Sequence, residues 1–78
     1  SFYKQPTAMH NALNSNTIRV IEHTVEVQTT DYTTIYLTDL SGRIIARVRN
    51  TRYARFNVPE AGVYIVRCGG EAMKILIQ

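Results

Sequence analysis

Side chains that could do chemistry are few in this chain, and their spacing does not suit catalysis. The two histidines, His10 and His23, have no cysteine or second histidine at metal-ligand spacing, and His23 is expected to be a solvated turn residue. Asp31 and Asp39 lie among threonine, serine and glycine, where a short carboxylate usually accepts backbone hydrogen bonds in a turn. Because no residues supply a nucleophile, a base and an oxyanion site together, we expect no enzyme activity, no metal and no cofactor.

Arginine is the most prominent charged residue type, and it is concentrated between residues 43 and 55. The arginines of this stretch are Arg43, Arg47, Arg49, Arg52 and Arg55. Strand alternation predicts that Arg43, Arg47 and Arg49 share one exposed face, with Arg55 paired across from them. Such a face could bind an anion or an acidic protein partner through bidentate hydrogen bonds. Alternatively, it is a charged edge that prevents sheets from associating.

Size and composition indicate one small folded domain. The chain has 78 residues, of which 45% are hydrophobic and 19% charged, with a net charge of +3. These values favour a thin apolar core over disorder. No apolar run approaches the ~20 residues of a membrane-spanning helix. The chain has no initiator methionine and no signal-peptide pattern, and we expect it to be a piece of a longer protein.

The single cysteine and the lack of nucleic-acid-binding motifs argue against a disulfide-stabilised fold and against a nucleic acid partner. Cys68 has no partner for an internal disulfide, so packing alone must hold the fold. It lies in an apolar run, and we interpret it as a buried, unreactive thiol. No row of aromatic residues alternates with the basic ones, so we expect no nucleic acid partner.

Alternating apolar and polar residues, interrupted by turn residues, predict a series of short strands. The predicted strands are residues 17–22, 24–28, 33–39, 43–49, 53–58, 63–68 and 71–77. Residues 63–68 are apolar on both faces and should form a central strand. The sequence therefore predicts an all-β fold, an immunoglobulin-like antiparallel β-sandwich of about seven strands.

The inward positions of these strands predict one core, and the start of the chain lies outside it. The predicted core residues are Ile44, Val48, Phe56, Val58, Tyr64, Val66 and Ile75. Residues 1–16 lack periodicity and contain Pro6 and several asparagines, so we expect a linker or loosely docked arm. Residues 17–78 then form the domain proper.

Two turn motifs punctuate the second part of the chain. The first reads Asp39-Leu40-Ser41-Gly42-Arg43, and the second reads Pro59-Glu60-Ala61-Gly62-Val63-Tyr64. Glycine permits turn conformations that other residues disfavour, and the Tyr64 hydroxyl is expected to brace the fold by bonding to backbone. A Gly69-Gly70 turn and a final apolar run that includes Lys74 follow.

The order of these features resembles the type A C-terminal sorting domain of the type IX secretion system, which is found on exported proteins of Bacteroidetes. In that family D-x-x-G-R, a strand, G-x-Y and a lysine-containing last strand follow one another. The positions that match here are Asp39, Gly42, Arg43, Gly62, Tyr64 and Lys74. The likeness covers about residues 17–78 and is strongest over residues 35–77.

The resemblance implies a transport signal rather than an activity. In the family, the folded domain directs a periplasmic cargo through the outer-membrane type IX translocon, and a shuttle protein then collects it. A sortase-like peptidase commonly removes the domain and joins the cargo to anionic lipopolysaccharide. The implied location is the periplasm in transit, and afterwards the outer membrane, the cell surface or the medium.

Other functions also fit the residues. One is a plain immunoglobulin-like structural module of a surface protein, which would need no basic residue in its last strand. Another is an anion-binding module that uses Arg47, Arg49 and Arg55, for which binding would weaken with salt. Self-association through unpaired edge strands is a further hypothesis, because a small sandwich has open edges.

Overall fold

A computed structural model describes residues 16–78, which form one curled antiparallel sheet. Its five strands are β1 (Thr17–Ile21), β2 (Thr24–Asp39), β3 (Ile44–Asn57), β4 (Gly62–Cys68) and β5 (Glu71–Ile77). The described residues contain no helix, so the predicted all-β class is confirmed. The predicted arm, residues 1–16, lies outside the described residues except for Asn16.

The two long strands, β2 and β3, run through both halves of the curled sheet. In the first half, residues 24–28 of β2 pair with β1 on one side and with residues 53–57 of β3 on the other. In the second half, residues 33–39 of β2 lie between β3 and β4, and β5 pairs with β4. The prediction that residues 63–68 form a central strand is therefore confirmed.

The predicted number of strands is wrong, because two of the predicted turns are bends inside continuous strands. The β2–β3 pairing shifts its register between Gln28 and Thr33, where the Thr29 hydroxyl donates to the Asp31 carbonyl at 2.8 Å. Opposite this bend, Asn50 takes a positive φ of 51° within β3. Bulges and turns favour the same small polar residues, so local composition does not distinguish a bend from a chain reversal.

The inner sides of the two halves contribute to a single core. Its buried apolar residues are Val25, Val27, Ala54 and Phe56 from the first half, Ile35, Leu37, Val66, Cys68, Ile75 and Ile77 from the second, and Val58 after β3. Core positions are thus confirmed for Phe56, Val58, Val66 and Ile75. Val48 and Tyr64 are partly buried and pack against this core.

The predicted core position of Ile44 is wrong, and a bulge explains why. Leu37 pairs with Ala46, but the next residue of β2, Thr38, pairs with Ile44, so that Ile45 is the extra residue. Partners in a sheet share a face, and Ile44 therefore lies on the outward side with Thr38. Its exposed fraction is 50%.

The turn between β1 and β2 packs against the end of β5. The His23 ring places Nδ1 2.8 Å from the Val58 carbonyl oxygen and Nε2 3.1 Å from the Gln78 carbonyl oxygen. At the other end of β1, Asn16 Nδ2 donates to Glu71 Oε1 at 2.8 Å. His23 therefore lies in a turn as predicted, but its ring is partly buried and contacts two backbone carbonyls, because this turn is folded onto the end of the last strand.

Candidate functional site

The two turn motifs predicted from the sequence lie side by side at one end of the sheet. Asp39, which begins the first motif, pairs directly with Tyr64, which ends the second. Residues from both turns line an open groove of about 520 Å³, together with Ile45 and Val58. We call this the motif groove. Pairing between β2 and β4 thus joins segments that are separated by a whole strand in the sequence.

The Asp39 carboxylate organises the first turn. Its Oδ1 accepts hydrogen bonds from the Ser41 backbone N–H at 2.9 Å, the Ser41 hydroxyl at 2.6 Å and the Arg43 backbone N–H at 3.0 Å. Oδ2 accepts from Arg43 Nε at 3.2 Å. The Ser41 hydroxyl, and next the Arg43 backbone, lower the pKa of Asp39 from 3.8 to about 2. The interpretation of Asp39 as a turn residue is confirmed, and its oxygens are already engaged.

Gly42 completes this turn because its backbone lies in a region that favours glycine. Its φ is +93°, and its N–H donates to the Asp39 carbonyl at 3.0 Å. The Asp39 N–H in turn donates to the Arg43 carbonyl at 3.0 Å. The turn therefore presents the Arg43 side chain, which is 76% exposed, from a backbone fixed by several hydrogen bonds.

Gly62 and Tyr64 form the other wall of the groove. Gly62 has a φ of +150°, and its Cα faces the Tyr64 ring closely enough that an added Cβ would contact it at 3.7 Å. The Tyr64 hydroxyl donates to the Glu60 carbonyl at 2.8 Å. The expected brace between this hydroxyl and the backbone is therefore confirmed.

Lys74 lies apart from the motif groove. It pairs with Ile65 of β4, and Ile65 pairs with Thr38 of β2. By alternation the row points outward from the second half, because the residues that follow Ile65 and Lys74 on their strands, Val66 and Ile75, are buried on the inner side. Thr38, on the central strand, is itself 2% exposed. Four motif residues line the groove, Gly42 lies in its first turn, and Lys74 belongs to a different surface.

The arginines are distributed over both halves instead of forming one stripe. Arg47 pairs with Tyr36 on the outward side of the second half, and Arg49 follows it on the same strand. Arg55 pairs with Glu26 in the first half. The predicted pairing of Arg55 with the other arginines is wrong, because β3 bends between them.

Sequence reasoning missed Ile45 as a groove residue, although a signal was present. Ile44 and Ile45 break the alternation of apolar and basic residues that continues through Ala46 and Val48. Two consecutive apolar residues in an otherwise alternating strand are typical of a bulge, which redirects one side chain. Here the bulge turns Ile45 toward the motif groove.

Reactive groups are scarce around these surfaces. Cys68 is 5% exposed, and burial raises the pKa of its thiol, with the nearby Glu71 charge acting in the same direction. Among residues 16–78, no cluster of histidine, cysteine and carboxylate side chains could hold a metal ion. No helix in this part of the chain is long and apolar enough to span a membrane.

Comparison with known proteins adds no family assignment. No protein-family model matches the chain, and no curated protein matches its sequence.

Proposed function

We propose that this domain is a C-terminal sorting signal that directs its parent protein across the outer membrane through the type IX secretion system. The observation that carries the proposal is the motif groove. Asp39, Arg43, Gly62 and Tyr64 come from two separate turns and line one surface. A receptor that recognises both motifs at once would therefore require the folded domain.

Rigidity of the motif groove supports a recognition role. The Asp39 carboxylate accepts four hydrogen bonds within its own turn, and the Tyr64 hydroxyl is held by the Glu60 carbonyl. A surface that is already ordered loses little conformational entropy when a partner binds. The exposed Arg43 guanidinium keeps donors available beyond its single bond to Asp39.

We also infer that the curled sheet is a small immunoglobulin-like sandwich whose layers are its two halves. Inward residues of both halves contribute to one core, as facing layers do. The two long strands pass from one layer to the other, so five strands occupy the positions of seven. The partners we propose are the outer-membrane translocon, its shuttle protein and a sortase-like peptidase, with anionic lipopolysaccharide joined to the parent protein.

An export assay tests this function directly. Residues 1–78 are fused to a periplasmic reporter in a host that has a type IX system, and the reporter is measured in periplasm, surface and medium. We expect the fusion to reach the surface or medium, and a fusion lacking residues 73–78 to stay in the periplasm. The shorter fusion also loses Ile75 and Ile77 from the core, so its failure alone does not separate recognition from folding.

Variants of two exposed arginines distinguish a loss of recognition from a loss of folding. Arg43→Ala removes a side chain of the motif groove, and Arg19→Ala removes one of similar exposure from the first half. With both variants folded by circular dichroism, we expect several-fold less export for Arg43→Ala and unchanged export for Arg19→Ala. If all fusions are exported equally, or none is while an established sorting domain works in parallel, the structural-module function replaces this proposal.

A further inference from the structure

The outward side of the second half combines apolar and basic side chains in cross-strand rows. One row joins Ile44, Thr38, Ile65 and Lys74, the next joins Arg47, Tyr36, Arg67 and Ala72, and a third pairs Val63 with Leu76. We call these positions the outer basic face. Its rows follow from the register of four strands. Thr38, on the central strand, is only 2% exposed, so the surface is formed by the side chains around it.

Apolar groups occupy one end of the outer basic face. Ile44 is 50% exposed, and Val63, Ile65 and Leu76 are only partly buried. Val63, Ile65 and Leu76 are neighbours on β4 and β5, and Ile44 lies in the row of Ile65 on the other side of Thr38. Contiguous exposed apolar side chains on a small domain typically mark a contact surface for another molecule.

Basic groups occupy the rest of the outer basic face without carboxylates beside them. Arg47 and Arg67 flank Tyr36 in one row, and Lys74 lies in the next. Within residues 16–78, the ion pairs are Arg19–Glu26 and Arg43–Asp39, neither of which involves these three cations. No outward position in these rows holds an aspartate or glutamate.

Acidic residues at the ends of the same strands are already engaged elsewhere. The Asp39 carboxylate accepts hydrogen bonds from its own turn, and the Glu71 carboxylate accepts one from Asn16. The cations of the outer basic face therefore have no carboxylate within their rows to neutralise them. Their charge is available to a partner.

We propose that the outer basic face is a docking surface for an acidic protein segment that also carries apolar side chains. Carboxylates would pair with Arg47, Arg67 and Lys74 through charge-assisted hydrogen bonds. The apolar side chains of the segment would cover Ile44 and Ile65, whose burial adds affinity that charge alone does not supply. Val63 lines both this face and the motif groove, but Arg47, Arg67 and Lys74 lie outside the groove, so docking on these cations does not depend on the export function.

Other occupants fit this face less well. A second copy packed face to face would bring like charges together, which opposes association. Nucleic acid or an anionic polysaccharide would pair with the cations but leave the apolar end exposed to water. Amphipathic helices that bind a membrane bury an apolar face about 5–10 Å into its interface, whereas Val63 and Ile65 are short side chains partly buried in a sheet.

Binding to defined probes tests the proposal. The main probe is an end-blocked peptide of about twelve residues that alternates glutamate with leucine, enough to cross a four-stranded face. The comparison probes are polyglutamate of equal length and phosphatidylglycerol vesicles. We expect the alternating peptide to bind at least about tenfold more tightly than polyglutamate, with amide NMR shifts concentrated at Ile44, Ile65 and Lys74.

Variants of exposed residues supply the matched control. Arg67→Glu combined with Lys74→Glu should weaken binding of the alternating peptide about tenfold or more. Arg19→Glu combined with Arg55→Glu, on the first half, should leave it within about twofold. Ile65→Thr should weaken the alternating peptide but not polyglutamate.

Several outcomes would overturn the proposal. The first is that the folded domain does not bind the alternating peptide. The second is that the amide NMR shifts centre on residues outside the outer basic face. The third is that the control variant loses as much affinity as Arg67→Glu combined with Lys74→Glu. Equal binding of polyglutamate would indicate an anion site only. Tighter binding to the vesicles would assign the face to a membrane surface instead.

Discussion

The outward sides of the two halves of the sheet differ sharply, although β2 and β3 contribute to both. On the first half, Glu26 lies 3.9 Å from Arg19 and accepts a hydrogen bond from the Tyr53 hydroxyl at 3.4 Å. The Thr24 hydroxyl donates to the Asn57 side chain at 3.1 Å. These polar groups therefore have partners within the surface itself.

The second half leaves its outward side chains without such partners. Arg47 and Arg67 lie on either side of Tyr36, and Ile65 lies beside Lys74. Both surfaces share β2 and β3, but Arg67, Ile65 and Lys74 lie on β4 and β5, so much of the difference comes from the strands that flank the shared pair. A surface whose charges are compensated internally is suited to solvent, whereas an uncompensated one is suited to a partner.

The largest expected effect on stability comes from changes in the core that the two halves share. Phe56→Ala in the first half should lower the free energy of unfolding by about 3–5 kcal/mol, and Leu37→Ala in the second by about 2–5 kcal/mol, because each leaves a cavity in the common core. Chemical denaturation measures both. Each variant should unfold in one transition, and a separate transition for either half would show that the core is not shared.

A smaller effect distinguishes the turns of the two halves. Gly62→Ala should cost about 1–3 kcal/mol, because a side chain is strained at a φ of +150°. Glu22, in the turn of the first half, already tolerates a φ of +56°, so Glu22→Gly should change stability by less than about 1 kcal/mol. If both variants change the thermal unfolding temperature equally, the positive φ at residue 62 does not require glycine.

Charge reversal compares the outward sides themselves. Arg19→Glu removes an ion pair and faces Glu26 with a like charge, which should cost about 0.5–1 kcal/mol at low salt. Arg67→Glu breaks no carboxylate contact and introduces opposite charge near Arg47, so stability should change by no more than about 0.5 kcal/mol. A larger loss for Arg67→Glu than for Arg19→Glu in urea titrations would contradict the comparison.

Acid titration isolates the turn at the end of the second half. The pKa of Asp39 is lowered in the folded state from 3.8 to about 2, so the unfolded chain binds more protons between those pH values. Its stabilising contribution is therefore present above about pH 4 and is lost as the pH falls toward 2. Asp39→Asn should make the free energy of unfolding depend less on pH in that interval. Arg19→Ala, which leaves Asp39 unchanged, serves as the reference variant. Parallel profiles would show that the hydrogen bonds to Asp39 do not favour its charged form.

Strand positions and much of the core followed from alternation alone. Phe56, Val66 and Ile75 are buried where period-two alternation places them. The error in strand number arose at Asn50 and at residues 29–31, where turn-forming residues accompany bends within a strand. The residue types within a short segment predict where the backbone can bend. Whether the chain then continues or reverses depends on which distant strand it pairs with.

The motif groove and the outer basic face could not be predicted from the sequence, because each depends on the register between strands. Asp39 and Tyr64 were recognised individually, but their direct pairing depends on the register between β2 and β4. Lys74 was grouped with them by sequence order, whereas the β4–β5 register places it beside Ile65. Register is fixed by which faces become buried across several strands, and no single segment contains that information.

The continuous hairpin of β2 and β3 also has a consequence for how the domain folds. Its closing turn, between Asp39 and Arg43, is short and held by local hydrogen bonds, so closing it costs little chain entropy. From there each further pair closes only a slightly longer loop, and the hairpin can extend through the bend until Thr24 meets Asn57. We therefore expect one nucleus to form at the turn and to establish the β2–β3 pairing of both halves before β1, β4 and β5 are added. The register of β2 against β3 in both halves of the sheet is then set in a single folding step.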